Sequence, residues 1–210
     1  ECLDPVPEET AGPYPGDGSN GPDVLTESGV VRRDIRSSFG DLSGTAEGVP
    51  LTFELTILDG TNGCAPYAGA ALYLWHADRD GRYSLYSRGV TDQNYLRGVQ
   101  EADSSGRLSF QSIYPGCYDG RWPHAHFEVF PSLAEATSAG SMLVTSQIAF
   151  PEATCAEVYD AATGYEQSVA NLARTSLERD MVFRDGWTLE LATLRGDPER
   201  GYTAQLTIVV

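Results

Sequence analysis

Lysine is missing altogether: every one of the 14 basic residues in this 210-residue chain is arginine, set against 30 aspartates and glutamates for a formal charge of −16. So acidic a surface is repelled by phosphate, which excludes nucleic acid and anionic membrane surfaces as partners. Long apolar runs are lacking as well; none approaches the roughly 18 residues that a membrane span requires. Histidine occurs three times and cysteine four times, with no C-x-x-C spacing of a zinc or redox site. There is no internal repeat, charge block or low-complexity linker, and no feature sets an oligomeric state. The chain opens at Glu1 and carries no signal peptide. With an even cysteine count and no lysine, that start is expected of a trimmed, extracellular protein.

What is present reads as an all-β protein of one ordinary domain. Residues 1–29 are rich in Pro, Gly, Asp and Ser, as in Pro13-Tyr14-Pro15-Gly16-Asp17-Gly18. They predict an extended N-terminal arm lying on a single domain of residues 30–210. From Leu51 to Leu58, Leu51, Phe53, Leu55 and Ile57 alternate with Thr52, Glu54 and Thr56, the period of a half-buried strand. Further strands are predicted over 71–76, 107–113, 124–130, 142–150, 187–193 and 202–210. Between 152 and 181, Val169, Leu172, Ala173 and Leu177 fall near helical spacing and predict one or two short surface helices. Seven or more short strands with turn-rich joins predict a β-sandwich or barrel.

Two of the three histidines form His124-Ala125-His126. On a strand, residues two apart share a face, so both imidazoles can reach one point above the sheet. The loop Tyr114-Pro115-Gly116-Cys117-Tyr118-Asp119-Gly120-Arg121-Trp122-Pro123 runs straight into that strand and brings a phenol and a guanidinium beside them. A second phenol, Tyr83, follows the turn Asp78-Arg79-Asp80-Gly81-Arg82; Tyr95 is a rival for its role. Phenolates are hard anionic donors, and two of them with two imidazoles favour a trivalent Lewis-acidic ion, iron(III), over zinc. His76 lies before the turn and reads as structural.

The segments Thr10-Ala11-Gly12-Pro13-Tyr14, Leu74-Trp75-His76-Ala77-Asp78 with Gly81-Arg82-Tyr83-Ser84, and Ile113-Tyr114-Pro115-Gly116-Cys117-Tyr118 followed by Gly120-Arg121-Trp122-Pro123-His124-Ala125-His126 occur in that order. Together they resemble the intradiol ring-cleavage dioxygenase family, over about residues 9–150. The likeness is to its secreted single-domain branch, without the long helical N-terminal segment of catechol 1,2-dioxygenases or the two-subunit form of protocatechuate enzymes. The resemblance implies an immunoglobulin- or prealbumin-like β-sandwich and one mononuclear non-haem Fe(III). The ion's ligands would be Tyr83, Tyr118, His124 and His126, with Tyr118 and His126 axial and Tyr118 released when substrate binds. It further implies catalytic roles for Arg121, Tyr118 and Gln147, and a small aromatic diol and O2 as substrates. Tyr14, from the arm, and Trp122 are the expected substrate contacts.

Each residue also has a plainer role. Arg121 could simply pair with Asp119, and Gln147 could satisfy buried backbone groups. A secreted β-sandwich binding or carrier module would keep the strands without the converging donors, and the same chemistry could serve hydroxyquinol or protocatechuate. Cys2, Cys64, Cys117 and Cys155 permit three pairings, and two bridges are expected, since a thiol beside an iron-bound tyrosine is better locked than left oxidisable.

Overall fold

The computed structural model describes residues 2–210. Nine strands build two sheets: β1 (Pro50–Asp59), β2 (Ala65–Pro66), β3 (Ala71–Trp75), β4 (Arg97–Glu101), β5 (Arg107–Ile113), β6 (His124–Phe130), β7 (Val144–Ala149), β8 (Thr193–Asp197) and β9 (Gly201–Val209). In the five-stranded sheet β1 is central, parallel to β9 on one side and antiparallel to β5 and β2 on the other, with β8 outside β9. The four-stranded sheet runs β4-β3-β6-β7, all antiparallel.

The alternation seen in the sequence sets how the sheets face. Leu51, Phe53, Leu55 and Ile57 of β1 pack in one core with Leu72 and Leu74 of β3 and Ala125, Phe127 and Val129 of β6. That shared core makes the molecule an all-β sandwich. The second sheet is covered on its other face as well. Ala71, Tyr73 and Trp75 point outward and are covered by Val24, Leu25 and Val30 from before the first strand. Strand β3 is therefore buried at all five positions and shows no alternation. The same outer face of β6 carries His124, His126 and Glu128, which places both imidazoles in the layer between sheet and arm rather than in the sandwich core.

Two of these expectations are corrected, and one strand was not predicted. Residues 187–193 do not form a strand: the amides of Glu190 and Leu191 both donate to the Trp187 carbonyl, and β8 begins only at Thr193. Trp187 and Leu191 are four apart, so the alternation concealed a helical turn. Strand β4 was not anticipated, because Arg97, Gly98, Gln100 and Glu101 are not a hydrophobic run. It forms because β3 pairs one edge while Val30 and Arg32 bond the backbone of Val99 on the other. Finally, one disulfide is present, Cys2–Cys64, while Cys117 and Cys155 are free and buried. The Cys155 sulfur lies 3.2 Å from the Tyr114 hydroxyl and Cys117 faces the Arg121 carbonyl at 3.5 Å, each enclosed separately. Burial pushes the Cys117 thiol up to about 12, so it is held as unreactive thiol by enclosure instead of by a bridge.

Two short helices follow β7 as expected, α2 (Glu152–Ala161) and α3 (Glu166–Leu172), after an unforeseen single turn, α1 (Leu133–Ala136). The spacing put Val169 inward, yet it is 48% exposed and Ser168 is buried instead. Ser168 Oγ accepts from the Cys117 amide at 2.9 Å. Asn171 Nδ2 donates to the Cys117 carbonyl, Tyr159 to Pro115 and Tyr165 to Tyr114. These helices fasten the loop that carries Tyr118, and that need, not apolar spacing, decides which face turns inward.

Candidate metal centre

Three stretches of chain bring four polar atoms together above the outer face of the four-stranded sheet. Tyr83 Oη lies 3.2 Å from Tyr118 Oη, 3.3 Å from His124 Nε2 and 3.2 Å from His126 Nε2. Tyr118 Oη is 3.2 Å from His124 Nε2, and the two Nε2 atoms are 3.1 Å apart. A point shared by atoms so spaced sits about 2 Å from each, the length of a metal–nitrogen or metal–oxygen bond.

Each donor is delivered by a local cause. The histidines share a face of β6, and His126 pairs across the sheet with Trp75, whose ring stacks on it at 5.0 Å and 8°. Tyr83 follows a turn organised by Asp78, whose Oδ1 accepts the amides of Asp80 and Arg82. In that turn Gly81 has φ +78°, and a Cβ there would stand 2.9 Å from Cβ of Tyr118. Glycine thus lets the two tyrosine loops touch. Tyr95 takes no part: its hydroxyl donates to Asp78 Oδ2 at 3.1 Å. His76 is equally separate, bonded to the Ala77 carbonyl and to Ser112 Oγ.

The cluster holds too few protons for its contacts. His124 Nδ1 donates to the Trp122 carbonyl at 2.5 Å, which leaves Nε2 a bare lone pair. His126 Nδ1 is enclosed without a hydrogen bond of regular geometry, the backbone of Thr10 being the polar group that acts on it. At most three protons then serve five close contacts. Burial, reinforced by the Arg121 charge, holds both imidazoles well below their ordinary protonation range, so they are neutral and free to ligate. Burial pushes the Tyr83 phenol well above 10 and raises Tyr118 too, although Arg121 opposes the rise. Nothing in the protein itself ionises the phenols; a highly charged cation among the four atoms reverses that balance. Among the described residues no three His, Cys, Asp or Glu converge, because half of the donor set is phenolic. The donors present suit a hard, Lewis-acidic ion.

Around the four atoms lies a second circle. Arg121 directs NH1 to within 3.3 Å of His124 Nε2, donates from NH2 to Gln147 Oε1 at 2.6 Å and from Nε to Asp180 Oδ2 at 2.9 Å. Its partner is thus Asp180 and not Asp119, which pairs at the surface with Arg174. Gln147 in turn donates to the Thr10 carbonyl at 2.9 Å, tying the arm to β7. Tyr14 sets its ring 5.2 Å from that of Tyr83 and is 37% exposed, at the rim of the site. Trp122 is placed otherwise than expected. Its indole is buried with Ala149, Val182 and Phe183 and donates to the Phe150 carbonyl, so what it offers the centre is its main-chain carbonyl.

Asp180, Trp75 and Arg97 escaped the sequence reading. Asp180 is fully buried and accepts four bonds, from Arg121 Nε and from the amides of Trp122, Val182 and Phe183. In the sequence it is one acid in Glu178-Arg179-Asp180, with no local signal of its burial. The register of β3 on β6 would have marked Trp75, but that pairing is a tertiary fact.

Fold and centre together define a class: an all-β sandwich that gathers two histidines and two tyrosines between one sheet and an N-terminal arm. A family profile described as Dioxygenase matches residues 20–151, more than half of the chain, and the chain belongs to the intradiol ring-cleavage dioxygenase family. Over 54 residues it is 39% identical to a chlorocatechol 1,2-dioxygenase of Rhodococcus opacus, a stretch that spans 26% of this chain and about a fifth (21%) of that protein. An intradiol ring-cleavage dioxygenase from Tetranychus urticae has the same fold, with a TM-score of 0.75 at 24% identity over 99% of this chain and 94% of that one. So has the dioxygenase domain of a dioxygenase–carbohydrate-binding fusion protein from Streptomyces sp. SirexAA-E, with a TM-score of 0.61 at 22% identity over 99% and 98%.

Proposed function

We propose that this chain is an extracellular ferric-iron intradiol dioxygenase that opens catechol-type rings with O2 to cis,cis-muconate-type diacids. The observation that carries the proposal is the proton-poor convergence of Tyr83, Tyr118, His124 and His126 at separations of 3.1–3.3 Å. A binding or carrier sandwich has no need of it. Tyr83, Tyr118, His124 and His126 would hold the iron, which when bound supplies the Lewis acidity that keeps a catechol deprotonated and its ring reactive toward O2.

The chain's own residues do the rest. Tyr118, the less enclosed of the two phenols, is the base set to take a catechol proton at its Oη. Arg121 stands beside the centre with its guanidinium already oriented by Asp180 and Gln147, so it meets negative charge growing on the ring oxygens without reorganisation. The Tyr14 ring borders the place an aromatic substrate would take, and the arm excludes water from it. A neutral catechol is favoured over a carboxylated one, because the Arg121 charge is already paired with Asp180 and a chain of net charge −16 repels an added carboxylate. The Cys2–Cys64 bridge supports an oxidising, extracellular setting.

Iron-loaded protein is expected to be red-brown from tyrosinate-to-iron charge transfer, to hold one iron per chain, and to shift its band when catechol is added without oxygen. A colourless protein without stoichiometric iron by elemental analysis contradicts the proposal.

A further inference from the structure

Four residues lie in one rank across the four-stranded sheet: Arg97 of β4 opposite Trp75 of β3, Trp75 opposite His126 of β6, and His126 opposite Gln147 of β7. The arm runs along this rank, across the strands, and is bonded at both ends. Its Thr10 carbonyl accepts from Gln147 Nε2 at 2.9 Å at one end. At the other, the Tyr14 and Pro15 carbonyls accept from Arg97 NH2 and NH1 at 2.9 and 2.8 Å. Between them Gly12, at φ +66°, passes so close over His126 that a Cβ would stand 3.4 Å from its Cε1. The dimensions agree. Three interstrand spacings cover about 14 Å, and four to five extended residues reach about 13–16 Å.

Arg97 has the bonding of a clamp rather than of an ion pair. It is 1% exposed, and its other donors go to Ser84 Oγ at 3.0 Å, the Ser84 carbonyl at 2.9 Å and Tyr73 Oη at 3.1 Å. All of its partners are carbonyl or hydroxyl oxygens, and none is a carboxylate. Keeping a buried charge on such terms is costly, and the sheet alone does not require it. What the geometry gains is registration: one planar guanidinium holds the backbone of the arm at Tyr14 and the backbone next to Tyr83 at Ser84. The rings of Tyr14 and Tyr83 lie 5.2 Å apart as a result.

We propose that Arg97 is a positioning residue which, with Gln147 at the opposite end of the rank, clamps residues 10–15 across the metal centre and fixes the Tyr14 side of the substrate space. The consequence for turnover rests on the proposed function; the clamp itself does not. In Arg97→Met, hydrogen exchange at the Gly12 and Gly16 amides, which donate to Thr10 Oγ1 and Tyr86 Oη, should rise at least about tenfold while β3 and β6 stay protected, with or without iron. KM for catechol should rise about tenfold with kcat within about threefold and the charge-transfer band retained, since substrate contact is lost and the ligands are not. Arg97→Lys, with three donors in place of a planar fork, should fall between the two. It decides by the same exchange readout if Arg97→Met does not fold. Arm amides that exchange as in the wild type in a folded variant overturn the clamp. A loss of kcat at unchanged KM overturns its role in substrate positioning. A protein that takes up no iron yet shows the exchange change keeps the clamp and sinks the proposed function instead.

Discussion

Tyr83→Phe is expected to bleach the iron-loaded protein and to lower turnover of catechol by at least about a thousandfold, whereas Tyr95→Phe keeps both colour and activity. The two phenols are twelve residues apart in the sequence and both are buried, so burial alone does not separate them. Their oxygens do. Tyr83 Oη lies within 3.3 Å of Tyr118, His124 and His126, while Tyr95 Oη is occupied by Asp78 at 3.1 Å. Loss of Tyr83 would remove an anionic donor from the proposed iron, and a metal's Lewis acidity contributes several kcal/mol to a charged transition state. At about 1.4 kcal/mol per tenfold, that is the thousandfold stated. Loss of the Tyr95 hydroxyl deletes one hydrogen bond and costs about 1 kcal/mol of stability. Visible absorbance and steady-state rates on the two variants check the pair. A coloured, active Tyr83→Phe would remove Tyr83 from the centre.

The second large effect is expected at Asp180, which touches none of the four donors. Asp180→Asn should lower kcat by about a hundredfold with iron retained, and destabilise the fold by about 3 kcal/mol. The carboxylate is fully buried and spends Oδ2 on Arg121 Nε and the Trp122 amide, and Oδ1 on the amides of Val182 and Phe183. An asparagine keeps one acceptor oxygen and turns an NH2 toward donors on the other side. Removing one partner of a buried ion pair costs about 3–5 kcal/mol, and the low end applies because Arg121 keeps 12% of its side chain in solvent. The kinetic part follows from orientation: without Asp180 the guanidinium is no longer held toward His124 Nε2, and loss of a preorganised charge-stabilising group costs about 10²–10³ in kcat. Denaturant titration and iron analysis, run beside the rates, separate the two effects. Unchanged kcat in a folded, iron-loaded Asp180→Asn would leave Arg121 without the orienting partner assigned to it.

How far the centre could be read from the sequence follows the range of the interactions. His124 and His126 were legible because strand geometry alone puts residues two apart on one face, and Tyr118 because a tight loop joins it to that strand. Tyr83 needed the family resemblance to be preferred over Tyr95. Asp180, Arg97 and Trp75 were not legible: each acts through a partner between 51 and 83 positions away, Trp75 on His126, Asp180 on Arg121 and Arg97 on Tyr14. A charge at a strand end, or in a run such as Glu178-Arg179-Asp180, looks like surface until the chain closes over it. The fold was legible where one face of a strand is buried, as in β1. It was obscured where both faces are, as in β3, and where three alternating residues wound into a turn at 187–191. The second disulfide failed for a related reason. Cysteine number says nothing of whether two sulfurs meet, and Cys117 and Cys155 are enclosed by different neighbours.

The most direct test of the account is the product formed from catechol by the iron-loaded protein under 18O2. Ring opening between the two oxygen-bearing carbons predicts cis,cis-muconate with one labelled oxygen in each new carboxyl group, read by mass spectrometry and by the rise of the muconate absorbance. Coloured, iron-bound protein that returns catechol unchanged, or a product opened outside the two hydroxyl-bearing carbons, would contradict it.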